Sequence, residues 1–325
     1  MPSTIRKRKR CLNKQRKNWR PPRIGRSNYD SFRLHEVVEV IDEIKLLADM
    51  ERFHERRKGK RGRRPARKRD ILKSLLFLEK LKCPICESGG LLQIFKYTLG
   101  LNNVYKPRTL YKYRASPVMT VILEKLVMES ALPEWVNEDM AGTDATGFPH
   151  SKGKTWIGDK SNPDKYREYD KVHAIMGLRS LVIPSVKITR GSWHDSTQFK
   201  YLVNNALPQG DIDAVAADSG YVSRNNYELV REHGATPYIL PKENAVFRSQ
   251  PTDSYEQTVL FSTRFPNRFH ERYRFRTKCE SAFNACKNAT GEKLRGRTPT
   301  SRRNEALCKI IVHNIRMVVM CRYAE

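Results

Sequence analysis

No stretch of this 325-residue chain is apolar and uninterrupted for long enough to span a bilayer. The most apolar late segment, Ala306 to Met320, is broken by Lys309, His313, Asn314 and Arg316. The N-terminus has no apolar core of a secretory signal, only a basic run, so the seven cysteines are expected as reduced thiols in a soluble, cytoplasmic protein. Two of them, Cys83 and Cys86 in "CPIC", have half the spacing of a zinc ribbon. With no second CxxC or His pair to complete it, they read as free thiols at a helix end. Acid is scarce as well: 35 Asp and Glu stand against 62 Lys and Arg, a net charge of +27. Such an imbalance exceeds what solubility requires and points to a polyanionic partner.

The positive charge is concentrated. Residues 1 to 26 hold eleven Lys or Arg and no acid, a composition that builds no core and suits an arm that tracks phosphates. Arg52 to Arg69 hold eleven more against Glu55 alone, punctuated by Gly59, Gly62 and Pro65 as in a linker. Between the blocks, "LHEVVEVIDEIKLLADM" has the spacing of an amphipathic helix. From Asp70, a candidate N-cap, "DILKSLLFLEKL", "LLQIFKYTLGL" and "PRTLYKYRASPVMTVILEKLVM" are helical in pattern. They predict three or four short helices that bind DNA in a helix-turn-helix-like way or form a packing or dimer surface. The composition therefore divides the chain into a basic arm, helix and linker (1–69), a helical region (70–137) and a remainder (138–325).

In that remainder, strand-like runs begin. "DMAGTDATGF", "YDKVHAIMGLRS" and "LVIPSVKITRG" are short, rich in Val, Ile, Thr or Tyr, and separated by turn residues. A helix ("HDSTQFKYLVNNAL"), a strand ("DAVAADSGY"), a helix closed by Gly234, a strand ("TPYILP") and a long helix from about Phe269 follow. Three strands in succession predict an antiparallel meander, and the later ones join by helical crossovers. The expected fold class is α/β, a ribonuclease H-like mixed sheet preceded by a helical, DNA-binding region.

Within "YRFRTKCESAFNACK" there is no Gly or Pro, and a single helix is expected. Arg276, Glu280 and Lys287 follow Tyr273 by 3, 7 and 14 residues. At roughly 100° per residue all four fall in a stripe about 60° wide. Phe275, Cys279, Ala282, Phe283 and Cys286 supply the buried side. Glu280 gains meaning from two other carboxylates. Asp144 in "GTDATG" and Asp218 in "AADSGY" stand where apolar sequence gives way to small residues, at the expected ends of the first and fourth strands. If those strands are neighbours, the two acids meet, and Glu280 completes a set of oxygen ligands suited to Mg²⁺ or Mn²⁺. Two such ions about 3.5 to 4 Å apart activate a nucleophile and stabilise the leaving 3′ oxygen of a phosphodiester.

The order Asp144, Asp218, Glu280, the last inside Tyr-x2-Arg-x3-Glu-x6-Lys, resembles the DDE transposases of prokaryotic insertion sequences, in the group named for its Tyr-Arg-Glu-Lys signature. The resemblance runs from about Asp139 to the C-terminus. It implies metal-dependent cutting of the terminal inverted repeats of a mobile element and joining of the freed 3′-OH ends to target DNA. Asp144, Asp218 and Glu280 would bind the metal, and Tyr273, Arg276 and Lys287 would contact DNA near the cut. A homodimer in a synaptic complex, acting at the nucleoid, would be its working form. The 62 residues from Asp218 to Glu280 leave little room for the large β insertion of some members.

Further basic residues follow the signature. Arg295 and Arg297, with Lys293, Arg302 and Arg303, are expected as an additional DNA contact. The loop from Lys152 to Lys171 places cations around Trp156, Tyr166 and Tyr169, as a nucleic-acid surface does. Asp139 is expected as a cap or surface residue, His173 as a packed histidine, and "GSWHDS" as a capped helix start with Trp193 in the core. Two other functions share these features: a structure-specific nuclease or resolvase that cuts without joining, and a non-catalytic DNA-binding protein derived from a transposase.

Overall fold

The computed structural model of the chain describes residues 24–51, 53, 65–150, 169–242, 244–246 and 250–324. Most of the basic arm, most of the second basic block and the cation-aromatic loop between the first two strands lie outside these residues. Among the described residues, no helix is long and apolar enough to cross a membrane.

Five strands form one sheet in the order β3-β2-β1-β4-β5. They are β1 (Met140–Pro149), β2 (Tyr169–Gly177), β3 (Ser185–Arg190), β4 (Ala214–Ala217) and β5 (Thr236–Ile239). The first three meander antiparallel; β4 runs parallel to β1, and β5 parallel to β4. This is the ribonuclease H-like arrangement, α/β in class. Small side chains on β1 and β4 let helices press on both faces. Ala141, Ile175, Val215 and Ala217 pack beneath α6 (Ser196–Ala206) and α7 (Arg224–Glu232), against Phe199, Tyr221 and Val230. Phe148, Ala174, Met176 and Ala216 face the opposite way, toward Cys279, Phe283 and Ile311.

That second face is covered by α10 (Thr277–Thr290) and α11 (Pro299–Cys321). The same apolar cluster continues into α1 (Arg26–Met50) through Phe32 and Ile41, α2 (Lys68–Lys80) through Leu72 and Leu76, and α5 (Pro117–Trp135) through Leu123 and Leu126. Helices on both sides of residue 137 therefore bury their apolar faces in one core. Between α2 and α5 lie α3 (Ser88–Ile94) and α4 (Pro107–Arg114).

Several local expectations are corrected. The three or four helices expected before the sheet are four, α2 to α5, and α4 parts from α5 at Ser116 because Pro117 holds the residue before it extended and starts a new helix. Asp70 lies inside α2 rather than capping it, and its buried carboxylate accepts from the backbone N–H of Asn103 at 3.0 Å. Asp139 is buried, not on the surface. Trp193 is 54% exposed, outside the core. Asp195 precedes α6 but makes no side-chain cap; it pairs with Lys171 Nζ at 2.7 Å and His173 Nδ1 at 3.0 Å instead. His173 is fully buried, as expected of a packed histidine. Gly234 closes α7 with φ +79°, a conformation that favours glycine.

Candidate active site

The site begins with where β1 parts from β4. Their shared ladder ends at Thr143 opposite Ala217, which brings Asp144 and Asp218 level with one another just beyond it. β1 itself continues to Pro149, paired only with β2. Asp144 therefore sits in mid-strand, not at the strand's end as expected, because antiparallel pairing outlasts the parallel one. Strand alternation turns Asp144, with Gly142, Thr146 and Phe148, toward α10. Asp218 follows β4, and its Oδ1 accepts from Gly220 N at 2.9 Å, which fixes the tight turn Ser219–Tyr221.

α10 lies close along β1 because Gly142 has no side chain. A Cβ there would fall 2.5 Å from Cys279 Sγ and 2.7 Å from Leu178 Cδ2. The signature segment is not one continuous α-helix. α9 (Pro266–Tyr273), which follows α8 (Ser254–Arg264), ends at the tyrosine; a 3₁₀ turn spans Arg274–Arg276, and α10 starts at Thr277. Tyr273 stacks on Phe269 with centroids 5.6 Å apart. Burial pushes its phenol up, against the pull of the neighbouring Arg276.

Arg276 joins the acids. Its Nη1 donates to Asp144 Oδ2 at 3.4 Å and its Nη2 to Glu280 Oε1 at 3.3 Å. One guanidinium thus lies between carboxylates from β1 and α10, with Asp218 close enough to act on both Asp144 and Arg276. Burial, with the negative charges of Asp218 and Glu280, raises the Asp144 carboxyl above its ordinary value. The Ala145 N–H, at 2.8 Å, and Arg276 oppose that rise. Lys287 reaches back to β1: its Nζ donates to Thr146 Oγ1 at 2.7 Å and lies 5.3 Å from the centre of the Phe148 ring. Burial lowers its pKa. The four signature residues and both aspartates thus border one end of the β1–α10 seam.

Arg295 and Arg297 lie elsewhere on the chain's return to α11. The Arg295 side chain donates to the Lys82 carbonyl at 2.9 Å, tying this loop to the end of α2. Arg297 is exposed. Arg302 grips Asp170 at 2.8 Å, and Arg303 lies 3.8 Å from Glu124.

Among the described residues no three His, Cys, Asp or Glu groups are close enough to hold a metal ion as they stand. The donor set still suits one. Three carboxylates supply hard oxygens: Asp144 and Glu280 already bond the Arg276 cation, and Asp218 lies close enough to act on it. Cys83 and Cys86 are free thiols.

Sequence reasoning did not find the supporting groups. Thr146 shares a strand face with Asp144, so period-two alternation marks it as a neighbour. Glu138, outside the site, carries no such signal: just before β1 it is buried at the turn between β2 and β3, where it accepts from the N–H and Oγ of Ser180 at 2.7 and 2.5 Å and from Arg179 N at 3.1 Å.

A ribonuclease H-like sheet with acids gathered where its first and fourth strands part is the framework of metal-dependent nucleotidyl-transfer enzymes. Residues 142–315, more than half of the chain, match the family described as Transposase DDE domain, and the chain belongs to that family. Among solved structures, it is similar to the piggyBac transposase in a cryo-EM synaptic complex with hairpin DNA. Identity is 11%, 94% of this chain and 82% of that one are covered, and the TM-score is 0.37. It is also similar to a chain of a pre-cleavage Mos1 transpososome crystal structure, at 12% identity, 71% and 82% coverage and a TM-score of 0.24. No curated protein matches it by sequence.

Proposed function

We propose that this chain is a DNA transposase of a prokaryotic insertion sequence, of the Tyr-Arg-Glu-Lys group, which cuts the terminal inverted repeats of its element and joins the 3′-OH ends to target DNA. The observation that carries this reading is Arg276 held between Asp144 and Glu280, side chains from a strand and a helix far apart in sequence, with Asp218 beside them.

Asp144, Asp218 and Glu280 would hold Mg²⁺ or Mn²⁺, two ions in the full reaction. When bound, the metal supplies Lewis-acid stabilisation of the attacking and leaving oxygens of the phosphodiester. The chain's own groups do the rest. Asp144 is fixed by the Ala145 N–H and partly withdrawn from water, while Glu280, with a 64% exposed side chain, can swing in from α10. Arg276 balances the charge of Asp144 and Glu280, and its planar fork would suit a bidentate grip on a DNA phosphate. Lys287 is a point charge further along the seam, and Tyr273 a rigid edge stacked on Phe269. The excess of basic residues, the helical region that precedes β1 and the loop bearing Arg295 and Arg297 suit DNA held across the sheet end by a homodimer.

The test uses end-labelled DNA bearing the repeats, with Mg²⁺. A transposase yields both nicked and joined products; a nuclease or resolvase yields cuts without joins. Asp144→Asn is expected to retain DNA binding and lose cutting by more than about 100-fold, beyond what loss of a residue outside the ligand set costs. Cutting undiminished in Asp144→Asn would overturn the assignment.

A further inference from the structure

Between β5 and α10 the chain carries a basic surface that the acidic site does not use. There α8 and α9 form a hairpin that turns at Phe265, and its apolar side is fixed to the sheet. Phe269, 1% exposed, has its ring centroid 5.6 Å from that of Tyr238 on β5 and 6.4 Å from that of Phe261 on α8. Arg264, Arg268 and Arg272 are all exposed. Among the described residues none of the three meets a carboxylate, Glu271 on α9 included; the arginine of this segment that does is Arg276. Arg268 and Arg272 stand one turn apart on α9, where like charges repel. Arg264 joins them through Phe265: the guanidinium carbons of Arg264 and Arg268 lie 6.0 and 5.5 Å from the centre of that one ring.

The stacking indicates what the cations are for. Phe265 is 43% exposed, so it is not there to fill a core. A guanidinium lying over an aromatic ring keeps its N–H donors free, and those donors form the fork that grips a phosphate. Arg264 and Arg268 are thus held in place without using the groups that bind, and part of the entropy of ordering them is lost before an anion arrives. The position of the hairpin indicates which anion. α9 has 8 residues, a rise of about 12 Å, and ends at Tyr273 beside the acids. One strand of duplex DNA presents a phosphate every 3.4 Å or so of its axis, so α9 spans about four of them.

We propose that the α8–α9 hairpin is a phosphate clamp: Arg264, Arg268 and Arg272, the first two seated on Phe265, hold the backbone of duplex DNA within about five nucleotides of the phosphate to be cut. The place of the grip on the DNA rests on the reading of Asp144, Asp218 and Glu280 as the cutting site. The grip itself does not.

The experiment measures binding of the full chain to an end-labelled duplex bearing the repeats, by fluorescence anisotropy over a range of salt concentrations. The variant R264Q/R268Q/R272Q is expected to bind about 10- to 100-fold more weakly at physiological salt, and its plot of log affinity against log salt to be flatter by about two to three units. Wild-type affinity and slope in that variant overturn the inference. Phe265→Leu, which keeps every charge, is expected to weaken binding about threefold at the wild-type slope. Should the triple variant not fold, Arg268→Gln alone decides: a slope lower by about one supports the clamp, and an unchanged slope overturns it. Iron–EDTA tethered at Asn267→Cys tests the placement. Strand scission within about five nucleotides of the cut, beyond that given by the wild-type chain treated alike, supports it, and scission only farther away overturns it. The binding measurement needs no cutting, so a chain that binds through these arginines but cuts nothing keeps the clamp and fails the reading of the acids alone.

Discussion

Gly142 shows how closely single residues constrain this site. With Cys279 Sγ and Leu178 Cδ2 at 2.5 and 2.7 Å from an added Cβ, Gly142→Ala must push α10 off β1. It is expected to lower stability by about 1–3 kcal/mol in denaturant titration, and Cys279→Ala in the same chain should restore part of the loss. Two buried titratable groups act in opposition. Burial raises Glu138 to about 7, and burial lowers His313, whose Nε2 meets the Leu181 carbonyl, to about 4. The folded state holds more protons than the unfolded at Glu138, so its contribution falls as pH rises from about 4.5 to 7. At His313 the folded state holds fewer, so its contribution is present above about 6.5 and is lost as pH falls toward 4. Each is worth about 3 kcal/mol over its window, and the two nearly cancel between pH 4.5 and 6.5. Relative to wild type, stability of Glu138→Gln should tilt upward with pH and that of His313→Gln downward, as urea midpoints across this range will show. The approach of Asp144 to Asp218 was legible because small residues follow apolar runs around both, and the place of Glu280 beside Arg276 because a fixed helical spacing joins them. Glu138 was not, since sequence does not say which N–H groups a glutamate will meet across a fold.

At the scale of elements, strand order was legible because each strand is bounded by turn residues, and the meander followed from three strands with no helix between them. The signature helix was only partly legible. Absence of Gly and Pro permits a continuous helix without requiring one, and at Arg274–Arg276 the chain tightens into a 3₁₀ turn. That turn puts Tyr273 on α9 and Glu280 on α10, so Arg276 stands at their junction, where it can reach Asp144. Arg276→Gln removes the only cation bonded to Asp144 among the described residues. The Asp144 carboxyl should then rise further, since a near cation no longer opposes its burial. The variant is expected to lose about 1 kcal/mol of stability at neutral pH. The deficit should shrink as pH falls and Asp144 takes a proton in both proteins, which thermal melts at several pH values will check.

For the whole molecule, hydrophobic periodicity revealed which faces are buried but not against what. Composition divided the chain near residue 137, and α1, α2 and α5 pack into the same core as α11. A buried ionic link crosses that boundary. Lys309 on α11, 1% exposed, lies 3.0 Å from Glu79 on α2 and donates to the Thr290 carbonyl at the end of α10 at 2.5 Å. One ammonium so fastens the helix that carries Glu280 to the helices ahead of the sheet. Burial and the nearby Glu305 raise the Glu79 carboxyl, and Lys309 is the chief opposing influence. Removing the lysine alone strands Glu79 in a dry interior. Lys309→Met should therefore cost about 3–5 kcal/mol, as breaking one side of a buried pair does, while Lys309→Met with Glu79→Leu should recover most of it. If the link is what keeps α10 in register with β1, the single variant will also loosen Arg276 from Asp144, and hydrogen exchange along Thr277–Thr290 will speed up before the rest of the sheet does. Equal protection of α10 in the single variant and wild type would show that packing of Cys279, Phe283 and Cys286 holds the seam without the ion pair.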